Sequence, residues 1–265
     1  MRRISNNTPK GWSRKAIRSW GFMFLVAGAV GQAVVMNVLL GMKDMSGTEI
    51  FTTLEGNERN MVLGLVALVT QMAYACAIPI YTFLLVDGFR RTSSIRHYAL
   101  RLAGVAVLAE IPYNLAMSSV WFDFNSRNPM LAMVLGIAVL YFFNVYSGWK
   151  IKNVVIRLLV IALSIVWIEM LRIEHGLAVI VLVCTLWGLR KNRSWQVLGG
   201  CAMMFVLGAV PATNPTYWLA PIVFLAAYFY NDEQGEESRI FNYLSYPVML
   251  LVVGLFAKYA LQYLL

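Results

Sequence analysis

Residues Pro79–Asn114 read PIYTFLLVDGFRRTSSIRHYALRLAGVAVLAEIPYN, which is an apolar helix, a basic turn and a second apolar helix. Charged side chains crowd the turn: Asp87, Arg90, Arg91, Arg96 and Arg101. Glu110 instead lies well inside the second apolar run. A charged side chain at membrane depth costs about 3 kcal/mol unless it is paired or protonated. The stretch therefore predicts a hairpin of membrane helices with a functional site near Glu110.

The composition of the whole chain supports a membrane location. Of its 265 residues, 60% are hydrophobic and 13% are charged, a balance that excludes an ordinary soluble domain. Several apolar runs exceed about 18 residues, which is enough to cross a hydrocarbon core about 30 Å thick. Strands of a membrane barrel would instead alternate polar and apolar residues. We predict an all-α, polytopic bundle of transmembrane helices.

The apolar runs predict nine spans, at residues 20–40, 61–86, 98–117, 130–146, 154–170, 176–189, 195–210, 217–230 and 243–264. Lys and Arg concentrate in alternate loops, which predicts a cytoplasmic N-terminus and an external C-terminus. We expect residues 1–19 to form a basic, amphipathic cytoplasmic leader and residues 20–265 to form one membrane domain. Pro79 is expected to break or kink the second span.

Other classes of function lack a signal in the sequence. The net charge of +9 arises from basic loops and a basic N-terminus, without interleaved aromatic platforms, so it does not indicate nucleic-acid binding. Cys76, Cys184 and Cys201 lie far apart in apolar runs and are expected to be packing residues. There is no metal-ligand spacing, serine nucleophile elbow, P-loop or dinucleotide fingerprint, so we expect no metal.

The basic turn allows two interpretations. Asp87, Arg90 and Arg91 have helical spacings of three and four residues, and Arg101 lies one turn into the third span. Guanidinium groups bind phosphates by paired hydrogen bonds, so the turn could hold a phosphorylated cytosolic donor such as a coenzyme A thioester. Alternatively, these residues are ordinary positive charges of a cytoplasmic loop with a local ion pair.

Glu110 shares a helical face with Tyr113 and Asn114. Nine residues separate it from Arg101, which is roughly 13.5 Å of helical rise and half a rotation, so we expect its partner to come from another helix. A buried carboxyl group could act as a general acid or base towards an amine or hydroxyl. The alternative is that Glu110 fixes helix packing.

His175 is a further candidate for catalysis, since Glu169, Arg172 and Glu174 surround it at a predicted external corner. Histidine has an ordinary pKa close to neutrality and is the side chain most often used for proton transfer. The alternative is an ordinary surface loop of mixed charge.

Four segments carry a resemblance to a known family: residues 79–116, then NPMLAMVLGIAVLYFF (128–143), EHGLAVIVLVCTLW (174–187) and YNDEQGEESRIFNYLSYPVMLLV (230–252). Over roughly residues 20–260 the chain resembles the TraX family of bacterial multi-pass membrane proteins, which is named for conjugal transfer and pilin N-terminal acetylation. Members related to the pilin-acetylating protein carry an Asp-His pair in the first span and a histidine in the last. This chain has Gly31 and Gln32, and Met249, at those places.

The resemblance implies an acyl (acetyl) transferase-like protein of the bacterial cytoplasmic (inner) membrane. It would move an acyl group from acetyl-CoA or another acyl-CoA to an amine or hydroxyl, on a membrane-associated protein or a lipid-linked acceptor. We expect Arg90, Arg91 and Arg101, with Asp87, to hold the donor phosphates. Glu110 or His175 would replace the missing pair as base, and Asn114 would orient the acceptor.

Two other functions stay open at this point. One is a non-catalytic membrane subunit that binds partners after losing the Asp-His pair. The other is a small transporter, suggested by Pro79 and by polar residues at membrane depth.

Overall fold

The computed structural model describes residues 11–42, 47–55, 57–210, 213–233 and 239–261, which form helices, turns and two isolated β-bridges. These residues contain ten α-helices, and π or 3-10 turns precede or continue three of them. They are α1 (Arg14–Val30, continued by π-helical Gly31–Leu39), α2 (Gly47–Glu55), α3 (Glu58–Arg91), α4 (Ile95–Ser118), α5 (Met130–Val145), α6 (Ile151–Leu171), α7 (Gly176–Gly188), α8 (Arg193–Ala209), α9 (Phe224–Tyr228, preceded by 3-10 Pro215–Val223) and α10 (Arg239–Leu255, continued by π-helical Phe256–Leu261).

This architecture confirms the predicted helical membrane bundle. Among the described residues, four helices are long and apolar enough to cross a membrane: Arg14–Leu39, Glu58–Arg91, Ile95–Ser118 and Ile151–Leu171. Each of the other five predicted spans coincides with a shorter helical segment. The end of the last predicted span, 262–264, and most of the leader, 1–10, lie outside the described residues. The count of nine spans and the orientation remain predictions.

Helix α3 is the centre of the bundle. Its second half, from Tyr74 to Phe89, is buried at nearly every position, and α1, α5, α7 and the 3-10 segment pack around it. An apolar helix that is buried on all sides forms the core of its protein. Pro79 was expected to break or kink this helix. The helix continues through Pro79 without a break, so the expectation of a break is wrong.

The first half of α3 and most of α6 form the periphery. Met61, Val62 and Leu65 are more than half exposed. In the most apolar stretch of α6, only 11% of the residues are buried. In a membrane bundle such apolar surface faces lipid rather than water. These helices therefore define the rim of the molecule.

Small residues let the central helices approach one another closely. A Cβ atom added at Gly28 or Gly31 of the first helix would overlap Tyr74 or Thr70 of α3. A Cβ at Gly254 of α10 would lie 2.9 Å from the backbone nitrogen of Ala116 in α4. Such contacts are the usual basis of helix association in membranes, where no hydrophobic effect drives one helix onto another.

Candidate functional site

A large cavity of about 950 Å³ enters the bundle between α1, α3, α4 and α10. We call it the inner cavity. Its described lining contains no acidic side chain but five cationic ones, which are Arg14, Lys15, Arg18, Arg91 and Arg101. A concave site lined by charge of one sign concentrates ligands of the opposite sign. The inner cavity is therefore suited to an anionic ligand.

The inner cavity reaches deep into the bundle. Its lining extends along the first helix from Arg14 to Leu25, a rise of roughly 16 Å. Its far end is lined by Ala77, Met130 and Tyr246, among mostly apolar neighbours. This depth is about half the thickness of a hydrocarbon core of roughly 30 Å. A long ligand could therefore keep its charges at the basic end and place its other end mid-membrane.

Asp87 organises the basic end without lining the cavity. The Arg91 Nε donates to both Asp87 carboxylate oxygens at 2.9 Å, and the Tyr230 hydroxyl donates to Oδ2 at 3.1 Å. Arg14 Nη1 lies 3.9 Å from the same carboxylate. The ion pair predicted between Asp87 and Arg91 is present.

The predicted donor-binding arginines occupy different places. Arg91 and Arg101 line the inner cavity, whereas Arg90 is exposed, lies outside the lining and is near Arg190. Burial and nearby Arg90 lower the pKa of Arg190. Arg101 donates from Nε to the His97 carbonyl at 3.2 Å, and its guanidinium lies 5.7 Å from the centre of the Tyr243 ring.

Arg14 is a cavity-lining cation that the site prediction did not include. Hydropathy placed the start of the first span at residue 20, but α1 begins at Arg14, where the Ser13 hydroxyl accepts a hydrogen bond from the Ala16 backbone. Arg14 Nη2 donates to the Leu84 carbonyl at 3.2 Å, while its buried Nε has no partner within the described residues. An unpaired buried donor in a cationic cavity indicates a place for an anion.

Glu110 forms an ion pair close to the far end of the inner cavity. Its carboxylate accepts from Arg127 Nη1 at 3.0 Å and from Asn128 Nδ2 at 2.5 Å. The expectation of a partner from another helix is wrong, because the loop between α4 and α5 folds back over α4, and Asn128 also donates to the Ala106 carbonyl. Glu110 does not line the cavity, although Pro129, next to Asn128, does. Its side chain is 17% exposed.

A second group of polar side chains lies beyond the far end of the inner cavity. We call it the outer polar cluster; its members are Tyr74, Tyr113, Glu174, His175, Tyr217 and Tyr246. The Tyr113 hydroxyl donates to the Glu174 carboxylate. Glu174 Oε1 lies 3.6 Å from His175 Nε2, and His175 Nδ1 is hydrogen-bonded to the Tyr217 hydroxyl. The ring of Tyr74 lies 5.4 Å from that of His175. Four helical segments (α3, α4, the 3-10 segment and α10) and the corner before α7 thus contribute side chains to the outer polar cluster.

His175 is neutral in this environment. It precedes α7 at a sharp corner, in the left-handed backbone region with φ of 56°, and its side chain is 4% exposed. Burial lowers the pKa of His175 below its ordinary value of 6.5, against an opposing effect of Glu174. A neutral imidazole with a carboxylate beside it can accept a proton at neutral pH.

Three polar atoms of the outer polar cluster are buried without a hydrogen-bond partner in the described part of the chain: His175 Nε2, the Tyr74 hydroxyl and the Tyr246 hydroxyl. Buried polar atoms are nearly always paired, so such a group marks a place where a ligand or water belongs. Glu174 is 37% exposed, which opens the cluster to the face of the bundle opposite the basic turn.

Tyr246 separates the inner cavity from the outer polar cluster. It lines the cavity, packs in one apolar group with Tyr74 and Tyr113, and is close enough to Glu174 for an electrostatic interaction. Sequence reasoning singled out His175 and noted Glu174 beside it, but it did not connect them with Tyr74, Tyr217 and Tyr246. The available signal was a set of tyrosines within predicted apolar spans, where a hydroxyl needs a partner.

The remaining predicted residues lie close to these two features. Asn114 is 1% exposed, and its Oδ1 is buried without a partner among the described residues. Gly31 packs directly on Thr70, and Gln32 is hydrogen-bonded to Gln71 at 2.7 Å. Met249 packs with the tyrosines of the outer polar cluster. Within the described residues, no three His, Cys, Asp or Glu side chains are grouped as metal ligands.

The chain was compared with family models, curated proteins and solved structures. The family model described as TraX protein matches residues 60–257, from the start of α3 to the end of α10. A search of curated proteins and a search of solved structures each found no match. The matched region contains every member of the outer polar cluster and the part of the inner cavity that α1 does not supply.

Proposed function

Because the chain belongs to the TraX family, we propose that it is a membrane-embedded acyl (acetyl) transferase of the bacterial cytoplasmic membrane, spanning it several times. It takes the acyl group from a cytosolic thioester such as acetyl-CoA and passes it to an amine or hydroxyl. One observation carries this proposal: a deep cationic cavity ends at Tyr246, which packs against a cluster that holds a buried neutral histidine. The acyl donor in the inner cavity and the base His175 therefore lie on opposite sides of Tyr246.

The donor is held at the basic end of the inner cavity. Arg14, Arg91 and Arg101 bind its phosphates, and the unpaired Arg14 Nε supplies a donor that is already desolvated. Asp87 positions Arg91 rather than touching the ligand. Arg90, which lies outside the lining, has no part in this site. The cavity volume of about 950 Å³ is within the range of sites for cofactor-sized ligands.

The chemistry takes place beside Tyr246. His175 Nε2 accepts a proton from the acceptor amine or hydroxyl, whose nitrogen or oxygen then attacks the thioester carbonyl. The unpaired hydroxyls of Tyr74 and Tyr246 donate to the oxygen that becomes negative. The carbon–sulfur bond breaks, and the thiolate takes the proton from His175. The Tyr217 hydroxyl, hydrogen-bonded to Nδ1, orients the imidazole, and Glu174, beside Nε2, stabilises its charged form.

Glu110 and Asn114 have supporting roles in this proposal. Glu110 is engaged by Arg127 and Asn128, so it fixes the loop between α4 and α5 instead of acting as the base. Asn114, one turn further along α4, keeps its unpaired Oδ1 for the acceptor. A Glu110→Gln variant is therefore expected to retain acyl transfer if it folds.

The test measures binding and transfer on purified protein in nanodiscs. Acetyl-CoA is expected to raise the thermal stability of the wild type, and Arg101→Gln to weaken that binding about tenfold or more, as for the loss of a charged hydrogen bond. Arg90→Gln is the matched control and should bind as the wild type does. His175→Gln should bind acetyl-CoA but transfer no acyl group. No stabilisation by millimolar acetyl-CoA, or full transfer by His175→Gln, would refute the proposal.

One observation favours the alternative of a non-catalytic assembly subunit. At Gly31, where some relatives carry an acid, close packing on Thr70 leaves no room for any side chain. A stoichiometric membrane partner on affinity purification, with a phenotype that does not depend on His175, would support this alternative. The small-transporter interpretation also remains open, and absence of flux in a liposome uptake assay would dispose of it.

A further inference from the structure

A shallow apolar groove of about 430 Å³ lies on the outside of the bundle, between α4 and α10. We call it the lateral groove. Its apolar walls include Leu100, Leu108 and Leu244, which are 60%, 64% and 42% exposed. Gly104 forms the floor. No atom lies within 4 Å of the position that a Cβ atom on Gly104 would occupy. On a membrane bundle this surface faces lipid chains.

The lateral groove differs from the other lipid-facing surfaces because a cationic side chain, that of Arg101, lies at one end of it. Arg101 is the one charged residue among its described lining, and it lies about 9 Å along α4 from the start of that helix at Ile95. Its guanidinium is held by the His97 carbonyl and by the Tyr243 ring, and so it does not depend on a protein carboxylate. A phosphate can therefore bind there without displacing an ion pair.

Arg101 and Tyr243 belong to the lining of both the lateral groove and the inner cavity. The stacked pair is thus a shared wall between the membrane and the interior of the bundle. We propose that the lateral groove binds an anionic phospholipid of the cytoplasmic leaflet, with its phosphate on the Arg101 guanidinium and an acyl chain lying over Gly104. Charge complementarity selects the lipid, since basic sites between membrane helices on the cytoplasmic side attract anionic headgroups.

A consequence rests on the proposed function. If Arg101 also binds the donor phosphates, an anionic lipid and the acyl donor compete for one guanidinium, and anionic membranes weaken donor binding. The lipid site itself requires no acyl-transfer activity, so its test uses no thioester.

The test titrates delipidated, detergent-solubilised protein with dioleoylphosphatidylglycerol or dioleoylphosphatidylcholine and counts bound lipids by native mass spectrometry. We expect the wild type to prefer the anionic lipid about fivefold, the contribution of one basic residue near an anionic headgroup, and Arg101→Gln to lose that preference. Gly104→Leu fills the floor of the groove and should reduce binding of both lipids there. Gly104→Ala, which adds one methyl group in open space, should reduce it less.

Gly188→Leu is the matched control, because Gly188 is also an exposed helical glycine with no atom within 4 Å of its would-be Cβ. It should bind both lipids as the wild type does. Equal binding of the two lipids by the wild type, or wild-type binding by Gly104→Leu and Gly104→Ala, would overturn the proposal. If acetyl-CoA does not bind in the nanodisc assay, the proposed function is refuted but the proposed lipid site is not.

Discussion

Asp87 is the residue whose loss should cost the most stability. Its side chain is 5% exposed and accepts three hydrogen bonds, two from Arg91 and one from Tyr230. Asp87→Asn removes the carboxylate that accepts these bonds and leaves Arg91 only its exposed contact with Asp232. It should therefore lower the free energy of unfolding by about 3 kcal/mol. Thermal unfolding in detergent, with denaturant titration where it is reversible, measures the change.

Asp232 provides the control for this prediction. It also pairs with Arg91, and with Arg193, but its side chain is 61% exposed. Exposed ion pairs contribute little, so Asp232→Asn should change the free energy of unfolding by about 1 kcal/mol or less. Equal effects of the two substitutions would contradict the central place of Asp87.

His175 should make stability depend on pH. Because burial holds its pKa in the folded protein below 6.5, the unfolded chain binds a proton at a higher pH than the folded chain does. Stability is therefore greatest above pH 6.5 and falls as the pH is lowered towards the folded-state pKa. His175→Gln should remove this fall, as followed by melting temperature between about pH 5 and 7.5.

The exposed His97 provides the comparison for that experiment. His97→Gln controls for the loss of an imidazole as such, because His97 lies exposed in the first turn of α4, outside the outer polar cluster. A pH profile that is flat in the wild type, or that responds only to His97→Gln, would contradict the buried neutral state of His175.

Single residues could be selected from the sequence, but their partners could not. Glu110 and His175 were candidates because a charged or titratable group near an apolar span is unusual. Arg127, which pairs with Glu110, lies in a loop without periodicity, and Tyr217, which pairs with His175, is 42 residues away. Neither contact follows from spacing along one helix. The outer polar cluster therefore required the tertiary structure.

At the scale of elements, the contact between the first helix and α3 depends on Gly31. An added methyl group would overlap Thr70, and overpacking of this kind typically costs about 1–3 kcal/mol. Gly31→Ala should therefore lower the thermal stability of the protein. Gly104→Ala is the control: in open space on α4, replacing glycine should be neutral or stabilise the helix by up to about 1 kcal/mol. A Gly31→Ala variant as stable as wild type would contradict the close approach.

Helix positions were predictable because their signals are local. The predicted sixth span, 176–189, matches α7 at Gly176–Gly188 to within one residue, since a basic stretch follows and a charged corner precedes it. Helix α1 begins at Arg14, six residues before the predicted start of the first span, because Ser13 caps it there. Hydropathy excludes Arg14 and Arg18 and so could not indicate where the helix begins. Contacts with other helices, rather than composition, bring the first turn of α1 into the bundle.

For the whole molecule, the predicted orientation can be tested with single cysteines. Ser93 lies in the turn between α3 and α4 and Asn125 in the loop between α4 and α5, and both are exposed. In a background without the native cysteines, a membrane-impermeant thiol reagent added to intact cells should label Asn125→Cys. Ser93→Cys should be labelled only after the cytoplasmic side is opened. The reverse pattern would invert the topology and place the inner cavity outside.

The fold class could be predicted from composition, because 60% hydrophobic residues in long runs permit few alternatives to a helical bundle. The inner cavity could not. It depends on how α1, α3, α4 and α10 diverge around Ala77 and Tyr246, which are ordinary apolar-span residues in sequence. A cavity is a property of packing between helices, and no helix contains it alone.

The bonds to Asp87 have a consequence for how the chain is made. Tyr230 reaches back across 143 residues to that carboxylate, and Arg14 approaches it from the opposite direction. Tyr230 has not yet been synthesised while the ribosome is translating the middle of the message. Until Tyr230 is made, the early hairpins therefore hold Asp87 in the bilayer without the hydrogen bond that the Tyr230 hydroxyl donates to its carboxylate.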